Sequence, residues 1–316
     1  MKFKSSSLIT LLPALLVMAL WGSLFPMIKV GYAAVGIDTT HIPSILVFAG
    51  LRFTFCGLIL VSFCSVRAKR LELPKRINTG WILLGALSSI ILHYGFTYIG
   101  LALGEGSKSA IIKQIGFLFL SCFAFLFDPK DKFSVRKVIA GMLGFCGIVA
   151  TAFDGSGIHF AIGDLLLLLA SACSAVSAVI TKKSTQRIEP VLYTGYSQLI
   201  GGICLLVPGL LLGGQLPCVS ISALLVFLYI CAASIGAYVL WNSLLRSGSI
   251  SKLSIIKFTE PLFAVLFSGL ILGEQILRLS YLIALLLLLS ALLVEHLPGR
   301  KKNERNHICN QTLCRP

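Results

Sequence analysis

Ten apolar stretches divide the chain, at about residues 8–31, 41–65, 79–102, 107–127, 134–153, 163–184, 192–213, 221–245, 251–272 and 278–297. Each is near the roughly 20 residues that carry a helix across about 30 Å of hydrocarbon. The polar connections between them are too short to fold as an extramembrane domain. The pattern therefore predicts an all-α integral membrane protein with ten transmembrane helices. It also repeats. Ser107-Lys108-Ser109-Ala110-Ile111-Ile112-Lys113 returns 144 positions later as Ser251-Lys252-Leu253-Ser254-Ile255-Ile256-Lys257. At the same offset Tyr94 aligns with Tyr238, Leu101 with Leu245 and Gly116 with Glu260. Two related units follow, 8–153 and 163–297, joined by the turn Asp154-Gly155-Ser156-Gly157 and trailed by a polar tail, 298–316. Five spans per unit is an odd number, so the second unit enters the membrane upside down. The expected architecture is two inverted five-helix repeats about a pseudo-two-fold axis in the membrane plane, a plan common among transporters.

Composition agrees with this picture, with 57% hydrophobic and 12% charged residues, against about 25% charged in soluble domains. The net charge of +15 raises the question of nucleic acid, but its distribution answers it. With the N-terminus inside, 21 of the 27 Lys and Arg fall on the cytoplasmic side, Arg278 lies in an outer loop, and Lys29, Arg52, Lys108, Lys113 and Lys257 fall within spans. The outer loops otherwise hold acids: Asp38, Glu105, Asp154, Asp164 and Glu274. This asymmetry orients the chain in the cell membrane with both termini cytoplasmic. The basic loops are accounted for by topology and lipid headgroups, not nucleic acid. The ten cysteines show no metal-ligand spacing. No nucleophile elbow, zinc-protease helix, phosphate-binding loop or dinucleotide fingerprint is present. The reading is of a non-enzyme without a cofactor, driven by a gradient or by exchange.

Candidate chemistry centres on Lys113 and Lys257. A lysine in hydrocarbon costs about 3 kcal/mol on insertion scales. Each stands six residues beyond the shared serine, about 9 Å into the membrane at 1.5 Å per residue. They enter from opposite faces, so both ammonium groups can meet one ligand near the midplane. The alternative is snorkelling or structural pairing. Glu260 lies three residues after Lys257, on the same helical face, whereas the matching position after Lys113 is Gly116. Gln114 offers only a neutral amide. The excess positive charge favours an anionic substrate. Glu260 is either a structural partner of Lys257 or a proton-coupling carboxylate. His93 is either a packed, hydrogen-bonded side chain or a proton relay. Tyr94, Tyr238, Trp241, Asn242 and Trp21 have the amphipathic character of a cavity wall, and equally that of core. Arg52 reads as a structural group bonding backbone carbonyls or an acid. Lys29, Lys108 and Lys252 lie near span ends and read as headgroup contacts. Gly100-x-x-x-Gly104, Gly209-x-x-x-Gly213, Gly269-x-x-x-Gly273 and Gly141-x-x-Gly144-x-x-Gly147 permit close helix approach, within the molecule or in a homodimer.

Four motifs occur in order along the chain. They are Trp21-Gly22-Ser23-Leu24-Phe25, Leu51-Arg52-Phe53, Glu260-Pro261-Leu262-Phe263-Ala264 and Leu272-Gly273-Glu274. With these the chain resembles the EamA-type members of the drug/metabolite transporter superfamily over about 8–297. The resemblance implies ten helices and a central cavity lined mainly by spans 3, 4, 8 and 9, with spans 1 and 6 beside it. Lys113 and Lys257 depart from the neutral residues of many such exporters and are closer in spirit to the triose-phosphate translocators, whose central Lys and Arg hold phosphate. The expectation is a secondary transporter of a small organic metabolite, whose partners are that small molecule and the bilayer. An amino-acid or drug exporter is the alternative within the class, and a non-transporting membrane enzyme or assembly factor the alternative outside it.

Overall fold

The structure, a computed structural model, describes residues 5–70, 73–104, 160–217, 220–247, 259–274 and 279–296, with shorter pieces between them that include 108–110, 112–113 and 256–257. Helices account for nearly all of these residues. They are α1 (Ser5–Val35), α2 (Ile42–Ala68), α3 (Thr79–Ala102), α4 (Ile162–Thr185), α5 (Pro190–Leu211), α6 (Ile221–Ser247), α7 (Glu260–Leu272) and α8 (Leu279–His296). Six helices among the described residues, α1 to α6, are long and apolar enough to cross a membrane. They coincide with six of the ten stretches read from the sequence, and α7 and α8 fall on the last two. Most of the fourth and fifth stretches, Gln114 and the 298–316 tail lie outside the described residues.

Large apolar side chains cover the outer surface, among them Leu211, Ile221, Leu225 and Phe63, as suits a face solvated by lipid. Helix starts use proline where a missing N–H does no harm: Pro43 opens α2, Pro190 opens α5 and Pro261 opens α7. Between α1 and α2, the Asp38 carboxylate accepts the backbone N–H and the hydroxyl of Thr40 at 2.9 and 2.8 Å. These bonds, the backbone one first, hold its pKa below the ordinary carboxylate value.

The most extensive helix packing joins α2 to α5. Gly50 and Gly57 on α2 face Leu206 and Leu199, while Gly195, Gly202 and Gly209 on α5 face the α2 backbone. A Cβ on Gly202 would stand 2.3 Å from the Thr54 nitrogen, and one on Gly57 would stand 2.4 Å from the Leu199 nitrogen. Only glycine lets these helices approach so closely. Elsewhere α1 packs on α6 and α7, and α3 on α4. Gly22 seats α1 against Phe263 and Ala264, and Gly100 seats α3 against Leu167 and Gly163. Of the glycine pairs seen in the sequence, Gly100 and Gly209 thus pack inside the molecule. Gly213 and Gly273 do something else: at φ of +84° and +67° they turn the chain at the ends of α5 and α7.

The bundle has two ends. The Asp38 end gathers the α1–α2 turn, the end of α3, the start of α4 and the end of α7. The opposite end gathers the α4–α5 turn at Arg187 and the end of α6, and it carries the basic residues Arg67, Lys69, Arg70, Lys75, Arg76, Lys182, Lys183, Arg187 and Arg246.

Candidate functional site: a lysine-bearing central cavity

A cavity lies between α1, α3, α4, α5, α6 and the start of α7. Lys113 and Lys257 both line it. The Lys257 ammonium sits 4.3 Å from the centre of the Trp21 ring and 5.2 Å from that of Trp241. The Lys113 ammonium sits 5.2 Å from Phe25 and 5.5 Å from Tyr94. Each cation thus rests on the negative faces of two rings, which partly replaces lost water. Trp21 lies edge-on to Tyr238 and Trp241, with centroids 5.7 and 5.3 Å away. Tyr94 lies 6.2 Å from Tyr238. Trp21, Tyr94, Tyr238, Trp241 and Asn242 all line the cavity, and the four aromatic residues are part of the buried apolar core as well.

Glu260 stands 3.3 Å from the Lys257 ammonium, and both side chains are buried. Glu260 also occupies the first turn of α7, where the positive helix end favours a negative charge. His93 lines the cavity, its ring tilted against that of Tyr94 with centroids 4.4 Å apart. Its Nδ1 faces the Ser89 carbonyl at 3.3 Å, and its Nε2 is buried without a partner. The carbonyl fixes Nδ1 as the protonated nitrogen of the neutral ring, which leaves Nε2 as an acceptor. This region of α3, Ala86–Leu92, is a π-helical turn, a distortion often found at functional sites.

Arg52 is fully buried beside the cavity wall. Among the described residues it bonds no acid and no backbone carbonyl, contrary to the sequence expectation. Its Nε donates to the Ser234 hydroxyl at 2.9 Å, and its other donors reach Ser234 and the Tyr98 hydroxyl. The rings of Phe53, Tyr94 and Tyr98 lie 4.8, 5.6 and 5.7 Å from the guanidinium carbon. A planar, weakly hydrated cation suits such a nest of rings and hydroxyls.

Lys29 and Lys108 also depart from expectation. Instead of reaching toward headgroups, each turns inward to close the Asp38 end. Lys29 donates to the Gly104 carbonyl at 2.8 Å and pairs with Glu274 at 3.6 Å. Lys108 pairs with Asp164 at 2.8 Å. Glu274 and Asp164, read from the sequence as outer-loop acids, lie level with these lysines, and an ion pair there satisfies both groups. Tyr32 adds a bond to the Tyr98 carbonyl at 3.1 Å.

The sequence reading missed the contribution of α5. Tyr193, Thr194, Ser197 and Gln198 line the cavity from α5, and Ser174, Ser177 and Thr181 line it from α4. These positions recur at helical spacing, so a polar stripe was the available signal. All lie in the halves of α4 and α5 nearest the Arg187 end. The cavity therefore extends toward that end, while Ile28 and Leu101 line it beneath the ion pairs.

The EamA-like transporter family profile matches the chain twice, over residues 8–153 and 161–295. An uncharacterized transporter of Bacillus subtilis is 32% identical over 281 residues, covering 86% of this chain and 87% of its own. A probable amino-acid metabolite efflux pump of Salmonella typhimurium is 25% identical over 280 residues, covering 83% of this chain and 87% of its own. A solved crystal structure superposes over 91% of this chain and 96% of its own with a TM-score of 0.66 at 17% identity, which speaks to the fold alone.

Proposed function

The chain belongs to the EamA-like transporter family and is a multi-pass membrane protein; from that premise we propose that it is a secondary transporter moving a small organic anion across the cell membrane by alternating access. Its ten spans form two inverted five-helix repeats, 8–153 and 163–297, with both termini and the Arg187 end cytoplasmic. Reciprocal packing supports the repeats. α2 and α5 correspond under the 144-residue offset and pack on each other. The α1–α6 contact has its counterpart in α3–α4. Nine described basic residues at the Arg187 end support the orientation. Impermeant thiol reagents applied to intact cells should then leave Cys309 and Cys314 unlabelled.

One observation carries the substrate reading. Lys113 from one repeat and Lys257 from the other line a single cavity whose described lining includes one carboxylate, Glu260. That carboxylate is engaged by Lys257, so a positive charge remains for a ligand. A substrate that bonds to both lysines draws the two repeats together, and binding thereby favours an occluded state. The ion pairs at the Asp38 end and the cavity's reach toward the other end correspond to the inward-facing half of the cycle. Glu260 is read here chiefly as the partner of Lys257, and proton coupling through Glu260 or His93 is an additional role to test by transport at varied pH. The protein acts with a small-molecule substrate and lipid, and a homodimer is not needed to complete the cavity.

Removing one partner of a buried charge pair costs about 3–5 kcal/mol. Lys113→Gln should therefore cut uptake of small carboxylates or phosphate esters into proteoliposomes by two orders of magnitude or more, with membrane expression near that of the wild type. Wild-type transport by Lys113→Gln, or a preference for cations, would defeat the anion reading. A second reading, export of amino-acid-like zwitterions, is favoured by the name of the Salmonella relative and by the presence of Glu260 beside the lysines. It predicts loss of activity on esterifying the substrate carboxyl and also on removing its amine.

A further inference from the structure

The polar groups along the α4, α5 and α6 side of the cavity mostly satisfy one another. Asn242 donates to the Thr194 hydroxyl at 2.7 Å, and Thr194 donates to the Pro190 carbonyl at 2.6 Å. Thr181 and Tyr193 share a bond at 3.2 Å. Ser177 donates to the Ser174 carbonyl at 2.9 Å. Gln198 breaks this pattern. It lines the cavity from α5 and is 1% exposed. Yet among the described residues neither its amide nitrogen nor its amide oxygen has a hydrogen-bond partner, and only the single hydroxyl of the adjacent Ser197 shares that state on α5. An unpaired buried polar group is destabilising. A glutamine presents a donor beside an acceptor in one plane, which is the complement of another amide. Methionine or leucine would fill the same space without that penalty.

We propose that Gln198 forms a second binding position in the cavity, one that takes a neutral carboxamide-type group of the substrate, with the N–H of the ligand on the Gln198 oxygen and its carbonyl on the Gln198 nitrogen. The substrate is then bipartite: an anionic end for Lys113 and Lys257, and an uncharged donor–acceptor end for Gln198. This position rests on the anion reading for its partner group only; the amide pairing is a separate property of the site. It accounts for why the two repeats contribute unlike chemistry to one cavity. Lys113 and Lys257 are matched by the repeat. The position equivalent to Gln198 in the first repeat is Thr54, a residue on α2 that does not line the cavity.

The test uses the full chain in lipid nanodiscs and two probes of one shape, succinamate and levulinate. They share a carboxylate and a carbonyl and differ in an amide NH₂ against a methyl. Quenching of Trp21 and Trp241, which both line the cavity, reports binding. The wild type should prefer succinamate by about tenfold or more, because a site built to bond a donor discriminates against its absence. In Gln198→Met the preference should fall to less than about twofold and the melting temperature should hold or rise, since an unpaired amide has been removed. In Lys113→Gln both probes should weaken together, with the preference retained. Equal or absent binding of the two probes by the wild type overturns the subsite, as does a preference that survives Gln198→Met. A melting temperature several degrees lower in Gln198→Met overturns it too, because the amide would then be a structural partner. If Lys113→Gln leaves both affinities unchanged while the amide preference stands, the anion reading fails and the subsite does not.

Discussion

Two seams join the front and back halves of this chain, and they are built on opposite principles. Along α2 and α5, glycines bring backbones within contact, and the interface is dry and close. Around the cavity, α1, α3, α4, α5, α6 and the start of α7 leave a gap edged with lysines, aromatic rings and amides. Both seams relate the same pair of repeats. The difference teaches how a transporter can be firm and yielding together. Where no side chain intervenes, packing enforces one geometry. Where buried charges wait for a ligand, several geometries lie close in energy. Under the alternating access proposed above, the glycine seam serves as the pivot and the cavity opens and closes around it.

The strongest way to break the contrast is to spoil the dry seam. Gly202→Leu places a side chain where the Thr54 nitrogen already lies 2.3 Å from a Cβ. Backbone cannot give way as a flexible side chain can, so the effect should exceed the usual overpacking cost of about 1–3 kcal/mol. Folded, monodisperse protein should be lost on size-exclusion chromatography in detergent. Gly95→Ala meets nothing nearer than 3.8 Å and should behave as wild type in the same assay. If Gly202→Leu runs as a folded monomer with normal transport, the pivot is elsewhere.

Next in size is the ion pair on the wet seam. Lys257→Gln strands the buried Glu260 carboxylate and should lower expression sharply, by the same loss of about 3–5 kcal/mol that attends a broken buried pair. Adding Glu260→Gln should restore expression, measured by fluorescence of a fused reporter, without restoring transport. Recovery of transport in the double variant would mean that the pair is purely structural.

The smallest effect belongs to the partly exposed pair at the Asp38 end. Lys29 and Glu274 retain 27% and 13% side-chain exposure, and such a pair is worth about 0.2–1 kcal/mol. Glu274→Gln should shift the balance between the two open states by less than about sixfold. The shift is read as faster modification of a cysteine placed at Ile28, a cavity-lining position on the Asp38 side. The double swap Lys29→Glu with Glu274→Lys should return the rate toward wild type. An unchanged rate in Glu274→Gln would show that the remaining contacts, Lys108–Asp164 among them, close that end unaided.

Much of the site is legible in the sequence because charge in an apolar span is conspicuous. Lys113 and Lys257 draw attention by their cost, and the 144-residue offset ties them together. The three-residue spacing of Lys257 and Glu260 states their pairing outright. Hydroxyls and amides are quieter. Serine and threonine in a helix can return their bond to a carbonyl one turn back, as Thr97 and Ser89 do. Their presence in a span therefore does not separate wall from core, and the stripe of α4 and α5 passed unseen. Gln198 was the exception that could have been noticed, since an amide cannot be satisfied so easily. Lys29 and Lys108 read as headgroup contacts in sequence because each stands near a span end. Their acids are far off in sequence, and only the packing of α1 on α7 and of α4 near the end of α3 brings them level. Arg52 was rightly seen as structural, but its partners are hydroxyls and rings, which no spacing rule anticipates.

Arg52 has a consequence for how the molecule is made. Its guanidinium travels in α2, yet Ser234, which takes two of its donors, lies 182 residues later in α6. The glycine face of α2 likewise waits for α5. A ribosome delivering this chain releases the first unit into the bilayer with a cation that has Tyr98 but still lacks Ser234, and with an uncovered groove. Both are resolved only when the second unit arrives. The first half should therefore need shelter during synthesis, and a chain truncated after residue 153 should be cleared by membrane quality control rather than persist as a stable half.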